Sequence, residues 1–190
     1  VPHFDSANLI QHVTFHLRDS LPQKAINKMN ADLASMDDER QAAERRKRIQ
    51  ELLDTGLGSC ILRRADCAHI VEQSLLFGDG KNYRLLNWCV MPNHVHVLIQ
   101  QSSDSSLSKV VQSWKRHCAR SIHQRLDDLG LERPCSKGLW QRDYWDRYIR
   151  DERHFLTAQS YIEENPVKAG LVTAKEIWRY GSAWQGQSLS

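Results

Sequence analysis

The chain has 190 residues, enough for one domain with an appendage and for a hydrophobic core that needs no covalent staples. Its 26 Lys and Arg against 23 Asp and Glu leave a formal charge of only +3, so the overall balance does not by itself announce a polyanionic partner. Five scattered cysteines, Cys60, Cys67, Cys89, Cys118 and Cys135, form no C-x-x-C pair, which argues against both a cysteine zinc cage and a secreted disulfide framework. No apolar stretch reaches the ~20 residues of a membrane span. The start "VPHFDSANLI" lacks the basic and apolar regions of a signal peptide, so the expected location is the cytoplasm, with no membrane partner.

In chain order, "LIQHVTFHL" (9–17) alternates, placing Val13, Phe15 and Leu17 on one side and His12, Thr14 and His16 on the other, as a half-buried strand demands. Residues 22–58 carry Ile26, Met29, Leu33 and Met36, then Ile49, Leu52 and Leu53, at helical spacing, and end in "TGLGS". This predicts one long helix or two shorter ones. A short helix is expected over 64–80, stopped at Gly78. "NYRLLNWCVM" and "HVHVLIQ" read as two antiparallel strands divided by Met91-Pro92-Asn93. Residues 106–129 form an amphipathic helix with Val111, Trp114, Cys118 and Ile122 in one stripe and Lys109, Arg116 and Arg120 opposite. "LWQRDYWDRYIR" (139–150) reads as an aromatic strand, and 151–165 as a helix closed by Pro166. The order of elements fits an α+β, ferredoxin-like or RRM-like antiparallel sheet with helices packed on one face. Residues 1–190 are then one domain, in which 22–58 elaborates the first crossover and 167–190 forms a tail.

Two stretches carry chemistry. In "VMPNHVHVLI" (90–99), His94 and His96 are two apart on a strand and share a face, while Val95, Val97 and Ile99 point into the core. Two neutral imidazoles at that spacing can hold a divalent cation if a third ligand arrives from elsewhere. In "YIEENPV" (161–167), Tyr161 and Asn165 lie one helical turn apart, and Asn165 offers a hard carbonyl oxygen suited to Mg2+ or Mn2+. A His/His/Asn set is open, leaving positions for a substrate oxygen. The segment 105–125 holds five basic side chains and no acid, a local pointer to a polyanion through Lys109, Lys115, Arg116 and Arg120. His12 and His16 are candidates to line the same path, or simply polar strand residues facing water.

"MPNHVHVLI", the basic helix, "LWQRDYWDRYIRDERHF" and "YIEENPVKAGLV" together resemble the REP-associated tyrosine transposases, relatives of the single-tyrosine HUH transposases of bacterial insertion sequences. The resemblance implies that His94, His96 and Asn165 bind a divalent metal and that Tyr161 cuts single-stranded DNA at REP-type hairpins, leaving a 5′-phosphotyrosine link that can be rejoined. It also implies a monomer or homodimer associated with the bacterial nucleoid. The amide in classical insertion-sequence relatives is usually glutamine, so the shorter Asn165 must stand closer to the ion.

Two other readings stay open. A ferredoxin-like sheet with exposed aromatics also resembles the platform of non-catalytic RRM-like nucleic-acid-binding domains, although no "RGFGFVxF"-like run is present. A metal-dependent hydrolase would use water in place of Tyr161.

Overall fold

Alternation along β1 (Ile10–His16) and β3 (His94–Gln101) decides the architecture, because the two strands pair antiparallel with Val13 opposite Val97, Thr14 opposite His96 and His16 opposite His94. Branched and aromatic side chains therefore gather on one face and imidazoles on the other. With β2 (Tyr83–Val90) and β4 (Trp145–Tyr148) they form a four-stranded sheet of order β2-β3-β1-β4, every neighbouring pair antiparallel. The structure is a computed structural model that describes residues 8–103 and 105–186. The first seven residues, on which the signal-peptide reading leaned, and the last four of the expected tail lie outside the described residues.

The helices are α1 (Gln23–Leu33), α2 (Asp38–Asp54), α3 (Ala65–Phe77), α4 (Leu107–Asp128) and α5 (Glu152–Lys168). The apolar stripes of α3 and α4, including Val71, Leu75, Trp114, Cys118 and Ile122, pack on Val13, Phe15, Val95 and Val97 to make the main core. The α+β antiparallel fold is the expected one, and α5 adds a layer on the second face, seating Ala158 and Ile162 against Cys89 and Leu98. Residues 22–58 fold into two helices with their own small core of Met29, Leu33, Ile49 and Leu53, closed by Leu21 and Trp145. The chain returns from this hairpin through Gly58, whose φ of +88° and lack of a Cβ let it pass the Asp19 carbonyl, where a Cβ would meet the oxygen at 2.6 Å.

Two boundaries differ from the sequence reading. The strand expected over 139–150 is regular only at Trp145–Tyr148, because residues 139–141 pair with the end of β1 through isolated contacts such as Gln141 N–H to His16 O. Pro166 does not close α5, which runs on to Lys168. Proline there forfeits one backbone bond and leaves the φ of the last turn helical, while Ala169 N–H still donates to Asn165 O at 2.9 Å. Beyond α5 the chain lies along the outer edge of β2, where Val90 N–H donates to Tyr180 O and Ser182 N–H to Trp88 O, leaving that edge covered. The described cysteines are all free thiols, four of them buried. Among the described residues no helix is long and apolar enough to cross a membrane.

Candidate functional site

Asn93 sets the chemistry of the site. It follows Pro92 in the β2–β3 turn, and its Nδ2 donates to Leu57 O at 3.0 Å, which turns Oδ1 towards His94 Nδ1 at 2.7 Å. An amide oxygen only accepts, so Nδ1 carries the proton and donates it. Burial keeps this ring neutral, pushing its pKa down to about 3, and the neighbouring His16 acts in the same direction. A neutral imidazole protonated on Nδ1 presents a bare lone pair at Nε2.

His96 is arranged alike. Its Nδ1 lies 3.0 Å from Thr14 Oγ1 and 3.2 Å from His12 Nε2, and burial first, then His94 and His12, hold its pKa well below the ordinary value. The two Nε2 atoms face each other at 3.1 Å. Amide nitrogens stand against these lone pairs: Asn165 Nδ2 is 3.3 Å from His96 Nε2, and Gln50 Nε2 is 3.4 Å from His94 Nε2 and 3.3 Å from His96 Nε2.

A divalent ion fits this donor set. Adjacent corners of an octahedron with bonds of about 2.1 Å lie about 3 Å apart, which the paired Nε2 atoms match. Asn165 Oδ1 is buried without a hydrogen-bond partner, and half a turn of that amide would exchange it with the nitrogen now facing His96. An orphaned buried oxygen costs about 1–3 kcal/mol, which a cation would offset. Among the described residues no three His, Cys, Asp and Glu side chains already stand in ligand positions, so Asn165 is the third donor beside the pair and a carboxylate would have to shift to join it.

Tyr161 stands over the same place. Its ring meets that of His96 edge-on at 5.4 Å between centroids, and lies 6.0 Å from that of His12. The Oη is buried with no hydrogen-bond partner, and its pKa is raised above that of a free phenol, by burial first and then by Asp54, with Asn165 acting the other way. Beside it runs an open groove of roughly 680 Å³ along α5, flanked by Arg153, Ser160 and Lys168, with Lys168 Nζ 5.2 Å from the Tyr161 ring centroid.

His94, His96, Tyr161 and Asn165 are thus brought together from two strand positions and one helix face. The basic residues are not. Lys109, Arg116 and Arg120 are exposed on α4, which covers the opposite face of the sheet, and Lys115 donates to Arg142 O at 2.7 Å. His12 lies against His96 and Tyr161, its pKa lowered to about 4, chiefly by burial. His16 is buried, stacked on Trp145 at 5.0 Å and 2.7 Å from Ser20 Oγ. Of the aromatic segment, Trp140 and Tyr144 belong to the main core and Tyr148 is exposed.

Sequence reasoning missed Asn93, Thr14, Gln50 and Asp54. Asn93 and Thr14 were readable in part, as polar residues adjoining the His-x-His strand or on the polar side of β1. Gln50 and Asp54 carried only an i, i+4 spacing within a charged helix.

Comparison with known proteins decides the relationship. The family described as "Transposase IS200 like" matches residues 67–165, which include both histidines, Tyr161 and Asn165. The chain belongs to the IS200-like transposase family. Two relatives bear the name that the motifs suggested. A Haemophilus influenzae protein assigned to the REP-associated tyrosine transposases is 30% identical over 97 residues, covering 50% of this chain and 55% of that protein. The REP-associated tyrosine transposase of Escherichia coli K12 is 27% identical over 97 residues, covering 50% of this chain and 51% of that protein. The chain thus spans about half the length of these two curated relatives. Its fold is that of a solved REP-associated tyrosine transposase bound to a REP hairpin, with a TM-score of 0.58 at 14% identity, covering 100% of this chain and 93% of that one. The matched segment runs across α3, β2, β3, α4, β4 and most of α5, while β1, α1 and α2 precede it.

Proposed function

We propose that this IS200-like protein cuts and rejoins single-stranded DNA beside REP-type hairpins, with Tyr161 as nucleophile and a divalent ion, Mg2+ or Mn2+, held by His94, His96 and Asn165. The observation that carries the reading is the pair of imidazole Nε2 atoms at 3.1 Å next to an orphaned amide oxygen and a buried, unpartnered phenol. Such an ion would polarise a phosphate oxygen and offset the charge that develops during attack.

The protein's own groups account for the rest. Tyr161 Oη attacks phosphorus in line, the new O–P bond replacing the bond to the 3′-oxygen; the phenol proton passes to water and the departing 3′-oxygen takes one from water. The link is then a 5′-phosphotyrosine, and reversal by another 3′-hydroxyl rejoins the strand. His12 and Thr14 hold the His96 ring from below, and Asn93 holds that of His94. Lys168 and Arg153, flanking the groove, are placed to meet the phosphates of an entering strand, whereas Lys109, Lys115, Arg116 and Arg120 would meet only nucleic acid that reaches α4. An RRM-like platform needs an open sheet face, and here α3 and α4 cover one face and α5 the other, which disfavours it.

A denaturing gel tests the proposal. With a hairpin oligonucleotide bearing a single-stranded foot and Mn2+, the protein should form a covalent adduct that Tyr161→Phe abolishes. Strand cleavage without adduct would assign the nucleophile to water, and an adduct surviving in Tyr161→Phe would assign it to another residue.

A further inference from the structure

The hairpin α1–α2 lies outside the matched segment 67–165, yet it sends two side chains into the histidine pair. Gln50 and Asp54 are one turn apart on α2 and share a face, and Gln50 Nε2 donates to Asp54 Oδ1 at 2.8 Å. Asp54 Oδ1 lies 3.6 Å from the bare Nε2 of His94, with its own side chain 28% exposed and that of His94 fully buried. Among the described residues no Lys or Arg forms an ion pair with Asp54. Lys168 acts on Asp54 electrostatically but outside ion-pair reach, and a carboxylate so placed, beside two neutral imidazoles and an orphaned amide oxygen, is an arrangement that a divalent cation completes.

Gln50 stands among these groups. Its amide nitrogen has two hydrogens and three acceptors within 3.4 Å: Asp54 Oδ1, His94 Nε2 and His96 Nε2. It stands where positive charge is wanted and cannot satisfy all three. An ammonium-like or metal cation satisfies them together, and the geometry of two imidazoles, an amide and a carboxylate selects a metal.

We propose that Asp54 is a fourth ligand for the cation, joining His94, His96 and Asn165, and that ion binding displaces the Gln50 amide and ties α2 to the sheet. This rests on the reading that the histidine pair holds a metal. The site is thereby assembled from two regions of the chain, one within the family match and one within the helical elaboration.

The test is Mn2+ titration of the full chain, followed by the loss of the free Mn2+ signal in electron paramagnetic resonance, with hydrogen–deuterium exchange of residues 38–54 as a second readout. Asp54→Asn should weaken Mn2+ binding at least about tenfold, Asp54→Glu should restore part of it, and Gln50→Ala should bind at least as well as the parent. Mn2+ should slow exchange in α2 of the parent and not in Asp54→Asn. Unchanged affinity in Asp54→Asn, with His96→Ala abolishing binding, would overturn the fourth ligand and leave the histidine site standing. Equal protection of α2 in the parent and Asp54→Asn would also overturn it. Absence of Mn2+ binding to the parent would overturn both this inference and the metal reading beneath it.

Discussion

The two faces of one sheet have been put to opposite uses. On the side of α3 and α4, Val13, Phe15, Val95, Val97 and Trp114 form a dry core in which a polar group such as Tyr83 Oη is fully engaged, donating to Leu75 O and accepting from Trp114 Nε1. On the side of α5 and α2, the same strands bury His16, His94 and His96 against Asn165 of α5, and Asn165 Oδ1 and Tyr161 Oη are left without hydrogen-bond partners. Residues one position apart on β3 thus serve different ends. The first face holds the fold together by removing apolar area from water, and the second keeps polar groups away from water at a cost that packing alone does not offset.

That contrast is sharpened most by acid. His12, His16, His94 and His96 are all held neutral, mainly by burial, with pKa values down to about 4 for His12 and His16, about 3 for His94 and well below 6.5 for His96. Below pH 6.5 the unfolded chain takes up protons that the folded one refuses, so stability is complete above that pH and is lost as pH falls towards 4. Each ring contributes up to about 1.4 kcal/mol per pH unit. Urea unfolding in the presence of a chelator should show a far lower midpoint at pH 5.0 than at pH 7.5. A flat profile would mean that the second face is not dry.

The next effect belongs to the other face. Trp114→Ala should cost about 3–5 kcal/mol through lost packing and leave Tyr83 Oη without its donor, while Mn2+ affinity of the folded protein stays unchanged. A large fall in affinity would show that the faces are coupled. Conversely, Asn93→Ala should lower Mn2+ affinity about 10–100-fold, because His94 loses the acceptor that fixes its protonated nitrogen, and should cost less stability than Trp114→Ala, measured by calorimetry and thermal unfolding. Undiminished affinity would sink the assignment of the lone pair to Nε2.

The smallest effect is on the surface of the dry side. Asp66 joins Arg64 and Arg125, and the Arg64 hydrogen bonds come first in lowering its pKa to about 2. A depressed carboxylate stabilises above its unfolded pKa and stops doing so as pH falls from about 4 to about 2, well below the histidine window. Asp66→Asn should cost about 0.5–1 kcal/mol at pH 7, less at high salt, with no change in the slope between pH 6.5 and 5.

Legibility in the sequence followed the range of the interaction. Period two in "HVTFH" and "HVHVLI" gave the two faces, and the spacing of Tyr161 and Asn165 put both on one side of α5, because each depends only on local backbone geometry. Gln50 and Asp54 reach His94 across about forty residues, through a hairpin whose direction is set by Leu21, Trp145 and the Gly58 return, and no local period records that. The position of Lys109, Arg116 and Arg120 failed to follow from helical pattern for a related reason: the pattern says which side of α4 is apolar but not which face of the sheet receives it. Pro166 was read as a stop because its missing N–H is a local fact, whereas the buried Ile162, Asn165 and Pro166 side chains that extend α5 are a tertiary one.

One bond ties remote parts of this molecule together more closely than its length suggests. Leu57 O, on the loop leaving α2, is what keeps the Asn93 amide from turning over. Were that loop drawn aside, the freed amide could present its N–H₂ to His94 Nδ1, the imidazole would shift its proton to Nε2, and a nitrogen that offered a lone pair would become a hydrogen-bond donor. A backbone carbonyl in a peripheral loop thereby governs the tautomer, and with it the donor capacity, of a histidine at the centre of the protein.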